Sequence, residues 1–315
     1  MLNAIELVTF DCFGTLLDWR QPLVWIGLDP DEHWGDFESE CRDLQHPARP
    51  FIRYRRVLEE AALRVAPTSS PRQRATFARR FGEAPAFLDA SALPLVQEIV
   101  PIGVLSNCDA EHQMDAMRSL GVTWDVAVLS ADVEAYKPHV QAWDAMVNRV
   151  RDAMQIEPEH WLHVSAFDDY DLALAKAFGL KTAFVRRAAT GSDHADADLV
   201  VPSLHELARS LGEALDGPIT YEVRAKPRDE ETAREWVAWM ECEHIDRVLA
   251  TGLIRSARLE NDGGAFRAVY SLRRRAHLDR YFEEHAPRLR AEGLERFGER
   301  VSYERSVYRG IARRR

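Results

Sequence analysis

Short, uninterrupted apolar runs recur through the first two-thirds of this chain, each followed by a stretch with helical spacing. The runs are Leu7–Phe10, Ile102–Leu105, Val126–Leu129, Leu162–Ser165, Thr182–Val185 and a brief Leu199–Val201. The helical patterns lie at 109–120, 139–154, 171–178 and 203–215. A strand that is apolar at every position is buried on both faces. That happens when helices cross over between parallel strands. The pattern predicts an α/β domain with a doubly wound parallel sheet. Residues 19–93 interrupt the alternation. They are rich in Arg, Glu and aromatic residues and read as helical near 33–45, 51–65 and 71–81, with Tyr54, Val57, Leu58, Ala61 and Val65 on one stripe. An insertion directly after the first strand sits over its carboxyl end, the edge where open α/β sheets bind ligands. It reads as a helical cap.

A different pattern begins after Asp216-Gly217-Pro218, which punctuates the chain as a linker. A strand at Ile219–Ala225 precedes a helix at 229–250, with Ala233, Val237, Met240, His244 or Ile245, and Val248 on one side. Ile254–Leu259 and Ala265–Leu272 form a hairpin around Asn261-Asp262-Gly263-Gly264. A helix at 275–292 and a strand at 300–308 complete a βαββαβ order, which is ferredoxin-like and α+β. Charge divides along the same line. From Ile219 onward there are 21 Lys and Arg against 17 Asp and Glu, whereas the whole chain carries −10. Two domains are expected, 1–217 and 218–315.

The negative balance argues against a nucleic-acid partner. The four cysteines, Cys12, Cys41, Cys108 and Cys242, show neither metal-ligand spacing nor a disulfide framework, which suits a reducing compartment. No apolar stretch approaches the roughly 18 residues of a membrane span, and the N-terminus leads straight into a strand with no targeting pattern. A soluble cytoplasmic protein acting on a small molecule is expected.

Four polar stations fall at the carboxyl ends of successive strands: Asp11 with Gly14-Thr15, then Ser106-Asn107, then Lys137-Pro138, then Phe167-Asp168-Asp169-Tyr170-Asp171. A carboxylate there can attack an electrophile and form a covalent ester, given cationic help. Only Lys137, Lys176, Lys181 and Lys226 are lysines among 41 basic residues. A Lys at such a station answers a specific need, because a compact ammonium fits a crowded carboxylate better than a planar guanidinium. Ser106 and Asn107 supply a hydroxyl and an amide for substrate oxygens. Plainer roles stand beside these. Ser106-Asn107-Cys108-Asp109 also reads as a helix start with Asp109 capping the next helix. Asp168, Asp169 and Asp171 also read as acidic residues favoured at a helix N-terminus, and Asp169 is assigned to that role alone.

The motifs FDCFGTLLDW, VLSNCD, AYKP and HVSAFDDYDLALAKAFGLKTAFVRR, in this order over roughly residues 1–215, resemble those of the haloacid dehalogenase superfamily. The resemblance implies Asp11 as nucleophile, Lys137 as charge partner, and Asp171 as the carboxylate that orients Lys137 and water. Phosphatases of this superfamily carry a second Asp two residues after the nucleophile to move a proton. Here that position is Phe13. The 2-haloacid dehalogenases have an aromatic residue there, and a halide needs no protonation to leave. DCFGTLLDW, with Trp19 after Asp18, resembles that branch, which requires no metal. The resemblance departs at Ala166 and Asp168, where such dehalogenases commonly have Ser and Asn. Asp168 adds negative charge near Asp11. The resemblance therefore implies a hydrolase of small 2-halo acids with catalytic Asp11, Lys137, Asp171 and Asp168. Substrate would meet Phe13, Thr15, Ser106, Asn107 and a cap arginine, Arg42 ahead of Arg20 and Arg53. Two alternatives stay open. One is a phosphatase or phosphonate-type hydrolase with Mg²⁺ on Asp11, Asp168 and Asp171. The other is a degenerate frame that binds or scaffolds.

The stretches WVAWMECEHIDRVLATGLIRSARLE and YFEEHAPRLRAEGLERFGERV resemble a small ferredoxin-like family of the dimeric α/β-barrel type, over roughly 219–308. The resemblance implies a homodimer through this domain, since sheet pairing removes exposed edges. Trp236, Trp239, His244 and His285 are candidates to line a ligand pocket, although packing between helix and sheet is the preferred account of Trp236 and His244. The basic tail Arg313–Arg315 reads as a frayed terminus.

Overall fold

Leu7–Phe10 (β1) lies inside a six-stranded parallel sheet with every residue buried, as its largely apolar run requires. Cap helices Pro30–Leu44 (α1), Tyr54–Val65 (α2) and Pro71–Arg80 (α3) follow it. Then come Leu93–Ile99 (α4), Ile102–Ser106 (β2), Ala110–Leu120 (α5), Val126–Leu129 (β3), Ser130–Val133 (α6) and Val140–Met154 (α7). Trp161–Ser165 (β4), Ala173–Ala177 (α8), Lys181–Val185 (β5), Leu199–Val201 (β6) and Leu204–Leu215 (α9) complete the series. The strand order is β3-β2-β1-β4-β5-β6, with each pairing parallel. Winding reverses between β1 and β4. A crevice opens at the carboxyl ends of strands that diverge in this way, and Asp11 follows β1 while the Asp168–Asp171 turn follows β4. The sheet is packed by Trp143, Met146 and Val150 of α7 against Leu7, Val128 and Trp161.

The cap is sewn by aromatic contacts. Phe37 meets Phe77 edge-on at 5.7 Å, and Phe77 meets Phe81 at 5.4 Å. Its helices start where the sequence supplies caps: Asp29 accepts the Asp31 and Glu32 amides, and Ser70 with Gln73 forms a capping box on α3. Asp109 corrects an expectation. Its side chain does not cap α5. It accepts the amides of Tyr54 (3.3 Å) and Arg55 (2.9 Å), and so caps α2 of the cap.

The described residues are 1–187 and 197–309, so the tail Arg313–Arg315 lies outside them. Two units are resolved by contact density, Asn3–Arg209 and a second beginning at Ser210. The division falls inside α9, before the Gly217 linker. The last turn of α9 is held within the second unit, since Arg309 donates to the Gly212 carbonyl (3.1 Å) and pairs with Asp216 (3.4 Å).

The second unit runs Ile219–Pro227 (β7), Glu230–Trp239 (α10), Ile245–Leu249 (α11), Ser256–Asp262 (β8), Ala265–Leu272 (β9), Arg275–Glu284 (α12), Ala286–Phe297 (α13) and Val301–Arg309 (β10). Its antiparallel sheet has the order β10-β7-β9-β8. The hairpin turns through Gly263 and Gly264, both at positive φ, where glycine carries no steric cost. Two helical readings are corrected. The helix expected at 275–292 breaks at His285, because Pro287 lacks an amide donor and its ring crowds the preceding turn. The helix expected at 229–250 is interrupted by a π-helical turn, Met240–His244; Met240 and Val248 are buried as expected, but Thr232, Trp236 and Trp239 take the buried side where Ala233 and Val237 were expected. Trp236 and Trp239 are core residues, packed on Phe266 (5.6 Å) and Phe297 (5.4 Å). His244 lies against Trp239, ring centroids 4.3 Å apart, and His285 contacts its neighbour Glu284. None of the described helices is long and apolar enough to cross a membrane.

Candidate active site

Asp11 stands one residue past β1, where the backbone leaves the sheet. Gly14, at φ +88°, completes the turn, and a Cβ there would come within 2.6 Å of Phe167 Cζ. Glycine is therefore demanded by both conformation and space. The turn folds the Thr15 hydroxyl back onto Asp11, donating to Oδ2 at 2.6 Å and accepting the Ala166 amide at 3.0 Å. Thr15 thus positions the carboxylate and links the turn to the end of β4. Lys137 Nζ lies 2.9 Å from Asp11 Oδ1 and 2.9 Å from Asp171 Oδ2. Asp11, Lys137 and Asp171 are all buried, so the three charges are read by one another in a poorly screened interior.

Burial pushes Asp11 above the ordinary carboxylate range, and the Asp171 charge adds to this, against the pull of Lys137 and the Thr15 hydroxyl. Burial acts on Asp171 too, but Lys137 and the neighbouring His163 outweigh it and hold that carboxyl well below its usual value. Lys137 is raised: burial opposes its charge, and two carboxylates more than compensate. The arrangement is an ammonium shared between one carboxylate held firmly ionic and another that ionises less readily.

Asn107 takes a different part from the one expected. Its Oδ1 accepts the Lys137 amide (2.7 Å) and its Nδ2 donates to the Lys137 carbonyl (3.1 Å), so the side chain clamps the residue carrying the ammonium. Ser106 Oγ, by contrast, is buried without a hydrogen-bond partner among the described residues, which leaves it available to a ligand oxygen. Phe13 is buried against Tyr54 (6.3 Å) and Phe81 (5.8 Å), under the cap. Trp19 and Trp34 meet at 4.5 Å, and Trp19 meets Phe167 edge-on at 5.8 Å, giving the crevice an aromatic wall.

Arg42 reaches this region from α1. Its guanidinium lies 4.7 Å from the Tyr170 ring centroid, and Lys137 Nζ lies 5.9 Å from the same centroid. Glu38, one turn earlier, accepts from Arg42 (2.9 Å) and from Trp34 Nε1 (3.0 Å), while Asp169 pairs with Arg42 at 3.5 Å. Asp169 therefore does more than start a helix. Arg20 is engaged by Asp18 and Asp31 at the cap entrance. Asp168 opens a π-helical turn, Asp168–Leu172, which widens the backbone and directs Asp171 inward.

The donor set for Mg²⁺ can be tested directly. Among the described residues, no group of three or more His, Cys, Asp or Glu side chains is placed to hold a metal ion. Asp11 and Asp171 both turn toward Lys137 Nζ. As arranged, these residues do not fit a divalent cation, and no chemical step is routed through one.

Sequence reading missed His163, which lies beneath Asp171 with Nε2 3.2 Å from Asp171 Oδ2. The available signal was a histidine inside the run Leu162–Ser165, where a strand buried on both faces invites the question of its partner.

Comparison with known proteins separates the two units. Residues 219–311 match the family model described as a domain of unknown function, DUF4286. None of the curated proteins compared with the chain matches it. Among solved structures, the L-2-haloacid dehalogenase PA0810 is 22% identical with a TM-score of 0.56, covering 66% of this chain and 99% of that one. The L-2-haloacid dehalogenase from Xanthobacter autotrophicus is 19% identical with a TM-score of 0.56, covering 66% and 99%. A magnesium-bound structure of YfnB from Bacillus subtilis, described as a HAD-hydrolase, is 16% identical with a TM-score of 0.55, covering 66% and 99%. The first unit thus has the fold shared by L-2-haloacid dehalogenases and HAD-hydrolases.

Proposed function

We propose that the first unit is a hydrolase of the haloacid dehalogenase superfamily that uses Asp11 as a nucleophile on carbon, with the carbon–halogen bond of a small organic acid as its electrophile. The observation that carries this reading is the contrast between Asp11 and Phe13. Asp11 is anchored at both oxygens by Lys137 and Thr15. Two residues on, where a poor leaving group would need a proton donor, stands a ring packed between Tyr54 and Phe81. A halide leaves without a proton, and alkoxide does not. The likeness of fold to L-2-haloacid dehalogenases supports the same assignment.

In the first step an Asp11 oxygen attacks the carbon bearing the halogen. The C–O bond forms as the carbon–halogen bond breaks, and the halide departs with the electron pair. Water then attacks Cγ of the Asp11 ester, the acyl–oxygen bond breaks, and the hydroxy acid leaves. Asp11 regains a carboxylate carrying one oxygen from water, and the second proton of that water is released to solvent. Asp171, held ionic, is assigned to orient Lys137 and the water. Asp168, half-buried at the same turn, is assigned to pass the water proton to the departing oxygen. Ser106 Oγ and Arg42 are assigned to the substrate carboxylate.

The test is a panel of 2-halo acids and aryl phosphates, each with and without EDTA. Halide release that survives EDTA and is lost in Asp11→Asn supports the reading, as does one ¹⁸O atom in the Asp11 carboxylate after a single turnover in labelled water. Phosphate release requiring Mg²⁺ would replace it with phosphatase chemistry. Binding without turnover on either panel would leave a ligand-binding frame. For the second unit we infer a cytoplasmic homodimer through its sheet, whose edges β8 and β10 carry unpaired backbone groups; light scattering at the mass of one chain would remove that inference.

A further inference from the structure

His163 lies on β4, in register with Thr9 of β1, and is fully buried. Its ring meets Trp143 edge-on at 4.8 Å. Trp161 Nε1 donates to Thr9 Oγ1 at 2.6 Å, and Thr9 Oγ1 lies 2.8 Å from His163 Nδ1. On the other side of the ring, His163 Nε2 lies 3.2 Å from Asp171 Oδ2, out of line for a straight hydrogen bond. That same oxygen takes Lys137 Nζ at 2.9 Å.

Donor and acceptor bookkeeping narrows the proton positions. Indole is only a donor, and an ionised carboxylate is only an acceptor. A bare Nε2 facing Asp171 would oppose two lone pairs, so Nε2 carries a proton. A proton on Nδ1 would point at Thr9 Oγ1, which already accepts from Trp161, and would leave the buried Thr9 hydroxyl hydrogen with no acceptor among its neighbours. Nδ1 is therefore bare and accepts from the Thr9 hydroxyl. Donation runs from Trp161 to Thr9 to His163, and the Nε2 proton faces Asp171 Oδ2 as a close polar contact at 3.2 Å.

We propose that His163 is a positioning residue, a neutral imidazole with its proton on Nε2, which holds Asp171 Oδ2 from beneath so that Lys137 is divided evenly between Asp171 and Asp11. Without that N–H, Asp171 relies on Lys137 alone and draws it from the nucleophile. The sharing is visible in the two equal 2.9 Å contacts of Lys137. The tautomer stands on geometry; only the kinetic consequence rests on the hydrolase reading.

Two measurements test it. Long-range ¹⁵N–¹H spectra of the full chain, with His163 assigned through its own side-chain-to-backbone correlations, are expected to show Nε2 protonated and Nδ1 bare at neutral pH. Any proton on Nδ1 overturns the proposal. In turnover of a 2-halo acid, His163→Phe is expected to lower kcat about 10-fold with KM changed less than about twofold, the lower range for a lost orienting partner. His163→Gln, which restores an N–H at the same reach, is expected to recover most of the loss. Equal kcat in the wild type and His163→Phe, or no difference between Phe and Gln, overturns the positioning role. A wild type without turnover would fail the hydrolase reading while leaving the tautomer measurement to decide this one.

Discussion

The Asn107 side chain grips the main chain of Lys137 at both ends, accepting its amide at 2.7 Å and donating to its carbonyl at 3.1 Å. The ammonium that serves Asp11 is thus aimed by a residue of a neighbouring strand end, thirty positions earlier. Asn107→Ala is expected to cost about 1–3 kcal/mol, from two lost hydrogen bonds and two partly buried backbone groups left unpaired. Denaturant unfolding measures this, and halide release should fall with it. Full activity in Asn107→Ala would show that Lys137 is aimed by its own packing.

Lys137→Met should be far more damaging. It leaves two carboxylates facing each other in a buried site, and breaking a buried ion pair in this way costs about 3–5 kcal/mol. Lys137→Met paired with Asp171→Asn removes one of the stranded charges and should recover part of the stability. Chemical denaturation of the wild type and these two variants reads the difference.

The pH dependence has two opposite signs. Asp171 is depressed in the folded protein, so its contribution to stability is present above the ordinary carboxylate range and is lost as pH falls through the folded value. Asp11 is raised, so its ionisation costs stability as pH rises through the ordinary range, and under the proposed reading its attack is silenced by protonation at a higher pH than for a free Asp. In Asp171→Asn, Asp11 loses a like charge and gains Lys137 undivided. Its pKa should fall, measurable by ¹³C NMR of the carboxyl. An unchanged or higher value would contradict the shared-ammonium arrangement.

Glu38 restrains Arg42 through a short ion pair on α1. Glu38→Gln should release part of the guanidinium charge and lower KM for a 2-halo acid severalfold, about what a partly exposed pair of under 1 kcal/mol allows. Arg42→Ala should raise KM. If both variants leave KM unchanged, the substrate carboxylate is held elsewhere.

Asp109→Ala should loosen the cap and not α5. Loss of a capping carboxylate costs about 1 kcal/mol. Hydrogen exchange should quicken at the amides of Tyr54 and Arg55, which Asp109 accepts, with α5 little changed.

The strands of the parallel sheet were legible to within a residue because burial on both faces writes itself locally, as largely apolar runs, whereas β8, expected at 254–259, runs Ser256–Asp262. Leu7–Phe10 and Val126–Leu129 needed no partner to be recognised. The stations Asp11, Ser106, Lys137 and Asp171 were legible for a related reason, since parallel strands bring all their carboxyl ends to one edge. The order βαββαβ followed from periodicity and from the Gly263-Gly264 turn. What only the tertiary structure decided is which polar groups spend themselves on one another. Asn107 and Asp109 sit two residues apart, yet one clamps Lys137 and the other caps a helix of the cap. His163 passes unremarked in the sequence, and its partner is Asp171, placed above it only by the fold. Local patterning tells which residues leave water. A buried donor must still find an acceptor, and its choice is made by chain segments far away in sequence that no local period records.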